Sequence, residues 1–420
     1  MLDRVQAGRD AIAERAPAAW RDRETGGLDL KGAGLRNAVL NGGDLAHANL
    51  RGADLDHAQG RAATLDGTIL EQARFAGADC GGASFRGAKA GEACFAGAML
   101  EDARFDGAAL RFADLTDTLL DGASFAKADL WGARLDGCDA DEAAFTEARL
   151  DEASLRGGNF AEADFTGASL KKARLDGARL RGAEFSNARL EGASLAGADL
   201  AQASLPRVNL SGTELTHARL AGAWLENTRL RAEQLGGMVG EERDGEFGAA
   251  RQAYVALEGN FRSLGDAAGE SWAFRKSRTM AKREKRRAAV AAWRARQVGP
   301  ALRAGFGALS DSFVEWLCDY GESLWRVVRA FFTTVLLFAA LYGVTGSLTR
   351  AAVDGGARAA TRNLLDLLVF SFINMLSTSA PDIGIRPANE IVVLLVSLQG
   401  AVGIVLIGLF GYVLGNRMHR

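Results

Sequence analysis

From Leu30 onward, Leu or Phe occupies nearly every residue number divisible by five, through Leu35, Leu40, Leu45 and Leu50 to Leu220, Leu225 and Leu230. Two residues before each stands Ala or another small residue, as at Ala33, Ala38, Gly43, Ala48 and Ala223. Gly is common two residues after it, as at Gly32, Gly42 and Gly52. Neither an α-helix (period 3.6) nor a β-strand (period 2) repeats every five residues. A square coil does, if each five-residue unit makes one side and four sides close a turn of about twenty residues. Side chains twenty apart must then stack. Phe85, Phe105, Phe125, Phe145, Phe165 and Phe185 have that spacing, and among the central phenylalanines Phe160 alone departs from the alternate-face phasing. With coils at strand spacing, about ten of them make a rod roughly 50 Å long. The large central residues and the Ala column point inward, and the other positions carry charge into water.

The grammar A-(D/N)-L-x-G resembles that of pentapeptide-repeat proteins over about forty consecutive units. The resemblance implies a right-handed quadrilateral β-helix over residues 28–232. A rod with open ends needs caps. Residues 1–27 supply one candidate, a capping helix whose Trp20-Arg21 resembles the tryptophan-bearing lead-in of many family members. At the other end the grammar fails at Glu233, where Ala is expected. Some members of the family imitate DNA with an acidic rod. Here roughly thirty acidic residues face about twenty-three basic ones in mixed order, the pattern of a solvated face. His47 and His57 lie half a coil apart and no nucleophile–base pair appears. We expect no enzyme activity, no cofactor, no metal and no nucleic acid. Cys80, Cys94, Cys138 and Cys318 have no metal-like spacing and read as buried thiols of a reduced compartment. Met1 to Trp20 has no apolar core, so the chain is expected to begin in the cytoplasm.

Residues 246–322 read as a helical, polybasic connector. Tyr254, Leu257, Phe261 and Leu264 recur at helical spacing, Gly265-Asp266 interrupts, and a second helix runs from about Ala268 to Trp293. This segment resembles the hairpin that joins pentapeptide repeats to membrane segments in related bacterial proteins. Between Arg275 and Arg303 eleven Lys or Arg stand against one acid, Glu284, as in a nucleic-acid patch or a juxtamembrane segment. Apolar stretches at about 330–348 and 391–414 follow and are long enough to span a bilayer, whereas 364–376 is too short. Basic residues flank both spans on one side, at Arg326, Arg329, Arg417 and Arg420, which places both termini in the cytoplasm of a bacterial inner-membrane protein.

Span, short apolar helix, polar strand, span is the plan of a two-transmembrane pore-loop domain, here residues 323–420. Phe370 to Pro387 resembles the pore helix and filter of the potassium-channel superfamily. Ser377, Thr378, Ser379, Ala380, Pro381 and Asp382 fall where that family has T-V-G-Y-G-D. Asp382 matches the acid after the filter, while both glycines are replaced, by Ser379 and Pro381, so potassium selectivity is not implied. Asn374 is the polar residue of the pore helix. Gln399 and Gly403 are the polar residue and the candidate hinge of the second span; helix packing alone also explains Gly403. One pore loop cannot enclose a path, so the resemblance implies a homo-oligomer, a tetramer, conducting ions through a lipid bilayer. The rod would carry a cytoplasmic protein partner. The alternative is a membrane-anchored scaffold without conduction.

Overall fold

The computed structural model describes residues 22, 25–321, 323–350, 359–376 and 384–418. The chain divides into two compact units, residues 1–281 and 282–420.

In the first unit, parallel β-bridges join residues twenty apart from Asp29↔Asn49 to Asn209↔Arg229, with four bridging columns in every turn. Each side of the coil is thus one bridging residue long. Central residues along the coil donate their N–H to the next coil, as Leu30 does to the Asn49 carbonyl at 2.8 Å. At each corner the chain reverses through a turn in which the Ala33 N–H, for example, meets the Leu30 carbonyl at 3.0 Å. The residue before that Ala is left-handed, Gly32 at φ 62°, as a type II turn requires. Glycine adopts this freely, which is why the sequence repeats it there. Asn37, His47, Glu152 and Lys172 hold the same conformation at other corners without that freedom.

The Leu/Phe and Ala columns fill the coil interior. Phe85, Phe105, Phe125, Phe145, Phe165 and Phe185 stack with centroid separations of 4.6, 4.9, 5.0, 4.9 and 5.1 Å. These are close to the spacing between paired strands, so the backbone ladder sets the ring ladder. Phe75 and Phe95 stack at 5.0 Å and meet Phe85 edge-on. Phe160, the ring out of phase, fits because position 158 is glycine. A Cβ there would lie 2.6 Å from the Phe160 ring.

Beyond Arg229 the open edge of the last coil is closed by side chains. Glu241, on α1 (Gly240–Arg243), accepts from the Leu220 and Ala221 amides, both at 2.7 Å. Asn260, on α2 (Phe247–Leu264), accepts from Thr228 N and donates to Thr228 O, each at 2.9 Å. Tyr254, Leu257 and Phe261 of α2 seal the core, with Leu235 from the short 3-10 turn Ala232–Leu235. The repeat grammar therefore lapses at Glu233 while the central column runs one five-residue unit further, to Leu235. Burial pushes the Glu241 carboxyl above the usual range, against the opposing pull of its backbone donors. Of the expected N-terminal capping helix, residues 1–21 lie outside the described residues. Asp22 accepts from the Asn49 side chain of the second coil at 2.8 Å.

α3 (Ala267–Arg294) continues into the second unit. There a separate helix α4 (Val298–Cys318) runs where the sequence suggested only connector. Lys282 pairs with Glu315, and Lys285 with Asp311 at 2.6 Å, so α4 folds back antiparallel along the later half of α3. The chain then turns through Asp319 and Tyr320, at φ 52° and 58°. Ser323 caps α5 (Leu324–Thr345), which starts six residues ahead of the expected 330 and ends at left-handed Gly346 rather than 348. α6 spans Leu364–Leu376 and α7 spans Glu390–Met418. A small antiparallel sheet, order β2-β1-β3, joins β1 (Leu348–Arg350), β2 (Ala359–Ala360) and β3 (Ile385–Pro387). Nothing in the periodicity announced these three strands.

Candidate functional site

α5 and α7 are each long and apolar enough to cross a membrane. Shorter α6 is held by both of them. At the centre lies Gln399 on α7, fully buried among apolar side chains, where an unsatisfied amide would cost several kcal/mol, on the order of 2–7. All four of its hydrogen-bonding positions are filled. Its Oε1 accepts from Tyr342 OH of α5 at 2.9 Å and from Asn374 Nδ2 of α6 at 3.1 Å. Its Nε2 donates to Ser371 O at 3.0 Å and Ser371 Oγ at 2.5 Å. Asn374 also donates to the Val396 carbonyl of α7 at 2.9 Å, and Ser371 Oγ donates to the Val335 carbonyl of α5 at 2.8 Å. One amide therefore fixes the rotation of three helices, because any helix that turns loses bonds it cannot replace.

The local sequence explains the convergence. Ser371 and Asn374, and likewise Val396 and Gln399, are three apart and share a helix face. Asn374 and Gln399 were singled out from the sequence, and the fold brings them together. Tyr342, which the sequence suggested as an interfacial aromatic near the end of the first span, is instead fully buried against Gln399. Ser371 was missed; its i, i+3 relation to Asn374 was the available signal. Gly403, one turn further along α7, lies against the end of α6, where a Cβ would sit 2.2 Å from the Met375 carbonyl oxygen. Close packing accounts for that glycine without a hinge. At the other end of α6, Asp366 pairs with Arg350 of β1 at 2.6 Å and sits in the first helical turn, where the helix dipole favours an acid. The filter candidates Ser377, Thr378, Ser379, Ala380, Pro381 and Asp382 lie outside the described residues.

On the rod, the six stacked phenylalanines are core and reach no surface. On the surface Phe112 pairs with half-buried Trp131. Phe112, 52% exposed, is left-handed at φ 57° and meets Trp131 edge-on at 4.8 Å. A bulky side chain rarely adopts that backbone. The ring lies across Gly132 of the next coil, where a Cβ would be 2.7 Å away. Burial pushes the Cys80 thiol up to about 12, so it stays protonated and unreactive.

A sequence profile for the family described as Pentapeptide repeats matches in eight copies between residues 29 and 231. Among solved structures, the chain is similar to HetL of the cyanobacterium Nostoc sp. strain PCC 7120, a pentapeptide repeat protein involved in heterocyst differentiation regulation. The identity is 31% over 47% of this chain and 91% of HetL, with TM-score 0.37. It is also similar to QnrB1, a plasmid-mediated fluoroquinolone resistance protein, at 22% identity over 47% of this chain and 97% of that one, TM-score 0.24. A pentapeptide repeat protein of the Arabidopsis thaliana thylakoid lumen shares 34% identity over 22% of this chain and 61% of its own length, TM-score 0.14. No curated protein matches. With its five-residue grammar and its coil of twenty, the chain belongs, through residues 29–231, to the pentapeptide-repeat family.

Proposed function

We propose that the protein is a homo-oligomeric pore-loop channel, a tetramer in a bacterial cytoplasmic membrane, with its pentapeptide-repeat rod as a cytoplasmic protein-interaction module. The observation that carries this reading is α6, a helix too short to cross a bilayer, tied between two span-length helices by the Gln399 amide. A simple tether has no use for such an element. Gly403 at the α6–α7 contact and the Arg350–Asp366 pair at the far end of α6 support a fixed orientation for α6, which by sequence precedes the segment Ser377 to Asp382. That segment, by sequence, offers three hydroxyl side chains and the Asp382 carboxylate per subunit, which attract cations in general. Lacking the paired glycines, it has no basis for strict potassium selection, and we expect weakly selective cation conduction. For the interaction module, Phe112 and Trp131 are the aromatic anchors on which a protein partner would centre.

The second reading, a membrane-anchored scaffold, is favoured by the replacement of both filter glycines, at Ser379 and Pro381. Purified protein in planar bilayers, with potassium on one side and sodium on the other, separates the two. The channel reading expects cation current with a reversal potential near zero, reduced by Asp382→Asn. Strong potassium preference would sink the selectivity claim. An assembled but electrically silent oligomer would leave the scaffold.

A further inference from the structure

α4 presents an uncovered apolar stripe. Val298, Leu302, Phe306, Leu309, Phe313 and Trp316 are 44–75% exposed. At about 100° per residue they fall within a strip of roughly 80°. The opposite side is occupied, since Asp311, Ser312 and Glu315 bond to Lys285, Arg286 and Lys282 of α3. Ala301 and Ala308 are buried on that same side. One face of the helix is thus spoken for, and the other has no partner among the described residues.

We propose that α4 is a membrane-surface helix, lying in the boundary between headgroups and acyl chains with this stripe inserted. The inference rests on the reading of α5 and α7 as spans. Three observations favour lipid over a second copy of the chain. First, the position is right. Leu317 and Cys318 at the end of α4 pack with Val327 at the start of α5 and with Leu409 and Val413 near the end of α7. α4 therefore meets the bundle where the first span enters and the last leaves, which is the level of a bilayer surface. Second, the turn at Asp319–Tyr320 breaks the helix between α4 and α5, so the chain changes direction before it crosses. Third, the composition suits an interface. Three of the six stripe residues are aromatic, and Trp325 stands exposed just past the turn. The acids of α4 are already paired to α3, leaving no charge pattern to match another subunit. Exposed Arg294, Arg296 and Arg303 beside the stripe suit anionic headgroups.

The test uses the full chain, with Cys94→Ser, reconstituted in vesicles of phosphatidylcholine and phosphatidylglycerol. A fluorescent thiol label is placed singly through Phe306→Cys, Leu309→Cys, Leu337→Cys on α5, or Lys127→Cys on the rod. Lipids brominated high or low on the acyl chain then quench according to depth. At Phe306 and Leu309 we expect shallow bromines to quench about twofold more than deep ones, with the reverse at Leu337 and nothing at Lys127. Quenching at Leu337 without quenching at Phe306 and Leu309 would overturn the surface helix while leaving the spans standing. A deep preference at Phe306 would overturn it too, because α4 would then cross. Absence of quenching at Leu337 as well would remove the membrane reading on which it rests.

Discussion

The two units differ in what they turn outward and in what they bury besides apolar side chains. In the β-helix, apolar columns fill the interior and charges line the outside, with exposed pairs such as Arg111–Asp129 at 2.6 Å. In the helical unit the apolar residues Leu336, Leu337, Val344, Leu394 and Leu398 face outward, while Gln399, Asn374 and Ser371 are buried. The difference has a physical basis. Water drives the first arrangement by expelling apolar surface, and surface ion pairs add little, about 0–1 kcal/mol. On the proposal that α5 and α7 lie in a bilayer, expulsion gives the helices no direction, and internal hydrogen bonds and close backbone contact hold them. The rod is specified by repetition of one rule. The helix bundle hangs on a few unique residues.

The contrast can be broken, and the largest expected effect is in the rod. Phe125 stacks at 4.9 and 5.0 Å against the rings before and after it, so Phe125→Ala should cost about 3–5 kcal/mol in chemical denaturation. Lys127→Ala, two residues away and exposed, should stay within about 0.5 kcal/mol. Equal effects would mean the inward and outward columns have been exchanged.

Next comes Gln399→Leu, which strands the Tyr342 hydroxyl and one hydrogen of the Asn374 amide. We expect a loss of about 2–4 kcal/mol, read as faster hydrogen exchange along α6 in detergent, with the rod unaffected. Unchanged exchange would show that apolar packing alone holds the bundle and that the two units follow the same logic. A smaller effect is expected at the α6–α7 contact. Gly403→Ala must displace the Met375 carbonyl and should cost about 1–3 kcal/mol. Gly408→Ala meets nothing within 4 Å and should be neutral or slightly stabilising by thermal melt. If the two glycines respond alike, the close contact is not what position 403 requires.

The smallest expected effect concerns the cap of the rod. The Glu241 carboxyl titrates above its ordinary range because it is buried. A folded-state pKa raised above the unfolded one gives stability that is full below the unfolded value and lost as pH climbs through the folded one. Protection of the Leu220 and Ala221 amides against exchange should therefore weaken across the range just above pH 4–5, an approximate window set by ordinary carboxylates. Glu241→Gln should flatten that profile. A profile unchanged by the substitution would locate the titration elsewhere.

Much of the molecule is legible in its sequence. The five-residue rule places Leu30 to Leu230, the Ala column and the stacked phenylalanines, because every unit meets the same neighbours and a local pattern implies its own tertiary contacts. Apolar length alone marks α5, α6 and α7, and Asn374 and Gln399 stand out as polar residues in apolar runs. Other features follow from contacts distant in sequence, and no local pattern encodes those. Glu241 and Asn260 close the rod because chain reversal brings them to Leu220 and Thr228. Tyr342 meets Gln399 across a separation of 57 residues, and β3 returns to β1 to form the sheet. The stripe on α4 had a readable spacing but was hidden within a basic connector. The tertiary structure decided that one side of that helix is taken by α3 and the other left bare, since burial depends on which surfaces come together and not on the order of residues along the chain.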